Sequence, residues 1–167
     1  MAFRLSSFFE LEAELTSSLD LTTPTSALQV ARQMALASGT GAGQADMIWS
    51  DTVTISASGT QAVDLAGSLT GPLGGTLTFA KIKMVVVAAA SGNTNNVNVV
   101  RDGTNGVPLF LANGDGIPVK PGGLFVWFDP SAAGVTVTAG TGDLLNLVNS
   151  GAGTSVTADV VVVGASA

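Results

Sequence analysis

The chain has no cysteine, no histidine and no tyrosine, and beyond Glu14 it has no glutamate. These absences remove whole classes of chemistry. Without cysteine there is no disulfide, no thiol nucleophile and no thiolate metal ligand. Without histidine there is no Ser-His-Asp triad and no Cys/His zinc site. Charge is scarce too: charged residues make up 11% of the 167 residues, against about 25% in an average soluble domain. The 6 basic side chains, Arg4, Arg32, Lys81, Lys83, Arg101 and Lys120, are scattered and outnumbered by 12 acidic ones, for a net charge of −6. A clustered basic footprint is what nucleic-acid binding requires, so nucleic acid is not an expected partner. Long hydrophobic runs are also missing. The mean hydropathy is +0.49, yet the longest apolar run, Met84 to Ala90, has strand length rather than the length of a membrane span. No membrane partner is expected, and Glu10, Glu12 and Glu14 behind Arg4 do not read as a secretory leader.

What remains is a chain of small apolar and neutral polar residues, Ala, Gly, Val, Thr and Ser. A soluble monomer ordinarily carries more surface charge, so this composition suggests a surface shared with neighbours. Residues 1–38 form a first unit. Phe9, Leu11, Ala13 and Leu15 alternate with Glu10, Glu12 and Glu14, a strand period, whereas Phe8, Leu11, Leu15 and Leu19 also fit a helical stripe. Leu28, Val30, Met34 and Leu36 repeat the ambiguity, with Arg32 interrupting their apolar face. Thr22 to Ser26, with Pro24 at its centre, breaks the two segments. Residues 39–46, rich in glycine, read as a flexible hinge.

Residues 47–167 read as short strands separated by turn signals. Expected strands include Ile48–Ile55, Ala62–Leu65, Thr76–Ala89 as one long strand or a bulged pair, Val97–Val100, Leu109–Leu111, Ile117–Val119, Leu124–Phe128, Val135–Thr138, Leu144–Val148 and Val156–Val163. Such spacing marks an all-β fold, and roughly eight strands in two antiparallel sheets suggests a β-sandwich or jelly-roll-like body with an extended N-terminal arm.

Several motifs invite chemistry and have a plainer reading. Gly39-Thr40-Gly41-Ala42-Gly43-Gln44 departs from the dinucleotide fingerprint at Gln44 and no helix follows. Asp102-Gly103-Thr104-Asn105-Gly106 and Asn113-Gly114-Asp115-Gly116 could offer oxygens to calcium, but lack the EF-hand spacing and suit hairpin turns. No carboxylate pair stands out, and no constellation of Asp, Glu, Lys, Ser or Thr resembles a catalytic site. No catalytic residue, metal or cofactor is assigned. Trp49, Trp127, Phe125 and Phe128 could form a carbohydrate platform, although the apolar Leu124–Phe128 context favours core or subunit contact. Glu10, Glu12 and Glu14 would share one strand face, on an arm able to add to a neighbour while its acidic side deters wrong pairings.

GTGAGQADMIWSDT (residues 39–52), ASGNTNNV (90–97) and the ending from Thr138 to Ala167 resemble small virion structural proteins of tailed bacteriophages. The likeness is one of style and phrase, without a catalytic signature. It implies a non-enzymatic capsid decoration, or cement, protein on the virion surface. The implied partners are the major capsid protein and copies of the chain itself, as a homotrimer. The expected contact residues are Phe3, Phe8, Phe9, Leu11, Leu15, Leu28, Val30 and Leu36 of the arm, with Phe125 and Trp127 of the body. The alternatives are a neck, tail or fibre-base component and, in another class, a carbohydrate-binding sandwich for host attachment.

Overall fold

The computed structural model describes residues 2–67 and 69–167. Among them the chain is built from strands alone. In order these are β1 (Leu5–Thr16), β2 (Thr25–Ser38), β3 (Gln44–Ala45), β4 (Met47–Ile55), β5 (Thr60–Asp64), β6 (Leu69–Thr70) and β7 (Thr76–Leu77). They continue with β8 (Lys81–Ala89), β9 (Val97–Arg101), β10 (Gly116–Val119), β11 (Leu124–Phe128), β12 (Val135–Thr136), β13 (Leu144–Asn149) and β14 (Val156–Ala165).

The body is a sandwich of two antiparallel sheets. One has the order β11-β8-β14-β4, with β12 also pairing β8; the other has the order β10-β9-β13-β5. Along the chain, successive long strands pass from one sheet to the other, except for β9 and β10, which are neighbours. Alternation of side chains sends Val85, Val87 and Ala89 of β8 and Val156, Ala158, Val160 and Val162 of β14 inward. They meet Val97 and Val99 of β9 and Leu145 and Leu147 of β13 from the facing sheet. These β-branched and aliphatic chains fill a core that excludes water.

A bulge interrupts that regularity. Val163 lies opposite Met84 but Gly164 lies opposite Ile82, so Lys83 is the extra residue on β8. Gly164 suits the spot because a Cβ there would collide with the Lys81 carbonyl oxygen and press on the Phe79 ring.

The first 38 residues settle as strands. β1 and β2 form a long antiparallel ribbon, paired from Leu5↔Leu36 to Thr16↔Thr25. The tip is closed by Ser17 N–H donating to Pro24 O (3.1 Å) and Leu19 N–H donating to Thr22 O (3.0 Å). Strand wins over helix because it gathers the apolar and acidic residues onto opposite faces, and the apolar face has a sheet to pack on.

One expectation needs correction, and two are sharpened. The glycine segment, read as a hinge, is folded as a hydrogen-bonded reversal. Ala37 N–H donates to Gly43 O (2.9 Å), Gly43 N–H to Pro130 O (2.7 Å) and Gly41 N–H to the Gln44 side chain (3.0 Å). Its glycines supply the left-handed backbone of the turn, with φ of 139° at Gly39 and 65° at Gly43. Leu109–Leu111 is not a strand; Arg101 reaches over and donates to the Phe110 and Leu111 carbonyls at 2.8 and 3.2 Å. Of the two readings of Thr76–Ala89 it is the pair that forms, β7 and β8, because Phe79 turns into the core between them.

Leu147 is fully buried on a strand paired on both sides. Leu147→Ala is therefore expected to cost about 2–5 kcal/mol through lost transfer energy and a residual cavity. Urea unfolding should show a lowered midpoint with an unchanged slope.

Candidate functional site

The ribbon has two chemically distinct faces. On one, the cross-strand pairs are Leu5/Leu36, Ser7/Met34, Phe9/Arg32, Leu11/Val30, Ala13/Leu28 and Leu15/Ser26. On the other they are Ser6/Ala35, Phe8/Gln33, Glu10/Ala31, Glu12/Gln29 and Glu14/Ala27. The three glutamates thus share one face, and Gln29 bridges Glu10 and Glu12 by donating to both, at 3.0 and 2.8 Å.

The root of the apolar face is anchored. Register across β11, β8, β14 and β4 lines up Phe128, Met84, Val163 and Ile48 as one row on the outer surface of their sheet. Leu36, Leu5, Met34 and Phe3 pack with that row, together with Ala45, into a second, smaller core. Beyond this root the ribbon leaves the body, and its apolar face continues uncovered. Phe9, Leu11, Leu28 and Leu15 are exposed, Leu15 at 75% of its surface. At the tip Leu19 is exposed and Leu21 is almost wholly so, at 99%. Where ribbon and body part, Ser7, Phe9, Arg32 and Met34 face Leu124 and Val126 of β11 across a groove.

The expected contact residues therefore separate. Phe9, Leu11, Leu15, Leu28 and the half-buried Val30 form the exposed stripe. Phe8 is exposed on the opposite, acidic face. Phe3 and Leu36 belong to the buried root. Phe125 and Trp127 are corrected: both point into the main core, Phe125 with its ring 6.2 Å from that of Phe110. Strand alternation gives the exposed side of β11 to Leu124 and Val126 instead. The clue was present in Leu124-Phe125-Val126-Trp127-Phe128, but an all-apolar strand does not reveal which alternate set faces out. Trp49 is only 7% exposed and cannot stack on a sugar.

Most of the body's carboxylates are occupied with backbone and side-chain groups. Asp102 accepts from Thr104 and Asn105 N–H, both at 2.8 Å, and from the Asn146 amide at 2.9 Å. Those hydrogen bonds, led by the backbone donors, hold its carboxyl below the usual range. Asp115 accepts from Ala112 N–H (2.9 Å), Asp129 from Ser131 N–H and Oγ (2.8 and 2.9 Å), and Asp46 from Ser166 (2.9 Å to N–H). This is turn and end-capping work.

Lys83 is the unusual charge. Its side chain is completely covered, and its ammonium donates to Ser131 O in the loop that closes over the bulge. Burial pushes its pKa down and nearby Lys81 adds to this, while Asp129 pulls the other way.

No family model, curated protein or solved structure matches this chain.

Two outcomes are expected. Leu36→Ala should loosen the ribbon root, so that hydrogen exchange quickens in β1 and β2 while β8 and β14 stay protected. Lys83 binds fewer protons folded than unfolded between its lowered pKa and the ordinary value of 10.5, so stability rises with pH across that alkaline window. Urea titrations at neutral and alkaline pH should show that rise in the native chain and its reduction in Lys83→Met.

Proposed function

We propose that this chain is a non-enzymatic structural protein of a phage virion, a decoration protein that binds the outside of the capsid shell. On this reading the sandwich is a rigid body and the ribbon its assembly device. The observation that carries it is the ribbon: an apolar stripe rooted in the body's second core and then held out uncovered, with its carboxylates segregated to the far side. Burying such a stripe is favourable at about 25 cal/mol per Å² of apolar area. Its pairing with the body sets its direction in advance, which lowers the ordering cost of docking. Repetition over many sites adds avidity.

Further support comes from the strand order. Numbering the eight long body strands in chain order, the sheets run 6-3-8-1 and 5-4-7-2, which we read as the winding of a jelly roll, an architecture used in viral capsids. The phrase-level likeness to small tailed-phage virion proteins points the same way. The acidic balance suits the outside of a shell better than a surface facing packaged DNA.

The test is co-sedimentation with undecorated phage shells. The full chain should pellet at many copies per particle. A shortened chain, with residues 8–33 replaced by an Asn-Gly turn joining Ser7 to Met34, keeps the anchored root. It should retain the β-sheet circular dichroism of the body and remain in the supernatant. Equal binding by both chains would overturn the ribbon's role. A full chain that ignores shells and forms a large ring would move the reading to a neck or tail position.

A further inference from the structure

Resting on that assembly reading, we propose that the ribbon's first partner is a second copy of this chain. Two ribbons stack apolar face to apolar face in opposite directions. Each tip then lies in the groove at the root of the other, between Phe9 and Met34 on one wall and Leu124 and Val126 on the other.

Four observations lead to this occupant. The first is charge placement. Among the described residues, the groove's lining contains one charged residue, Arg32, and among those residues its guanidinium donates only to the neighbouring Ala31 carbonyl, at 2.9 Å. The tip carries one charged residue, Asp20, between exposed Leu19 and Leu21. Tip and groove are therefore complementary in both respects, apolar flanks to apolar walls and carboxylate to guanidinium. The second is the position of the like charges. Each copy has a net charge of −6, but Glu10, Glu12 and Glu14 lie on the face turned away from the stack, so the ribbons can approach without juxtaposing carboxylates.

The third is geometry. Opposed stacking centred near Glu14 brings Leu19 and Asp20 of one ribbon to the level of Phe9 and Arg32 of the other, which is where the groove opens. Such a contact is isologous and closes on itself. The fourth is area. The overlap, from the level of Phe9 to that of Leu19, is about 34 Å long and about 10 Å wide, or roughly 340 Å² per copy. Two such faces give roughly 700 Å², against the about 1,000 Å² of a specific interface. Seating the tips adds the exposed side chains of Leu19, Leu21, Leu124 and Val126 to the contact.

The test uses the full chain without shells. Sedimentation velocity over a concentration series should show a reversible dimer. Asp20→Arg and Arg32→Asp each create a like-charge contact at both ends of the pair, and each should weaken self-association at least about tenfold. Both positions are exposed, so folding should be unaffected. An equimolar mixture of the two variants places opposite charges together again at both ends and should recover the dimer. Because the native chain has no cysteine, Leu21→Cys with Leu124→Cys gives an independent readout. Within one copy the tip is about 35 Å along the ribbon from the groove, so a disulfide between these positions should join two chains.

A chain that is monomeric at every concentration would overturn the proposal. So would a dimer indifferent to both charge changes, or a mixture that fails to recover. Dimerisation without shell binding would leave this inference standing and sink the virion reading. Shell binding by a strict monomer would do the reverse.

Discussion

The arrangement of this molecule depends on one contact, the burial of the row Phe128, Met84, Val163 and Ile48 beneath the ribbon root. A free two-stranded ribbon is marginal in water, because its hydrogen bonds and cross-strand pairs barely offset its lost entropy. Here Leu36 and Leu5 tie it to a sheet already made rigid by the main core behind it. The same contact explains why the outer side of β14 changes from polar Thr157 and Asp159 to apolar Val161 and Val163. One side faces the opposite sheet, and the other lies under the root at one end of the strand.

The low charge then has a structural explanation. Most body carboxylates are engaged by turn N–H groups or neighbouring side chains, as at Asp102, Asp115 and Asp129. They hold loops in shape and form no clustered field. The one concentrated charge is the acidic ribbon face, which leaves the apolar stripe as its reverse. A two-faced ribbon of this kind directs association: one side can be buried at little electrostatic cost, while the other remains hydrated. Lys83 is the opposite case. The bulge that admits Gly164 beside Lys81 also displaces a cation under the 129–134 loop, where burial disfavours its charge.

Much of the architecture was legible in the alternation of small apolar residues and in the Gly, Asn and Asp turns. The all-β class and most body strands follow from that pattern, and so does the shared face of Glu10, Glu12 and Glu14. Two features were not legible. Helical spacing and strand alternation coexist in residues 5–16, since Phe8 satisfies the first period and Phe9 the second. In Leu124–Phe128 every residue is apolar, so the outward set could not be told from the inward one. Local composition also does not decide the form of Gly39–Gly43, because glycine permits both a loose linker and a tight reversal.

The amino-acid sequence by itself determined what the chain could not do and what it had to build. The absent thiol and imidazole groups excluded their chemistry, and period-two patterning required sheets with one face to bury. Only the tertiary structure decided where those faces went. Burial depends on which surfaces meet across long separations in the chain, as when Leu36 meets Met84 and Val163. That meeting covers the ribbon's root and leaves its far half, from Phe9 to Leu28, exposed on a fixed support.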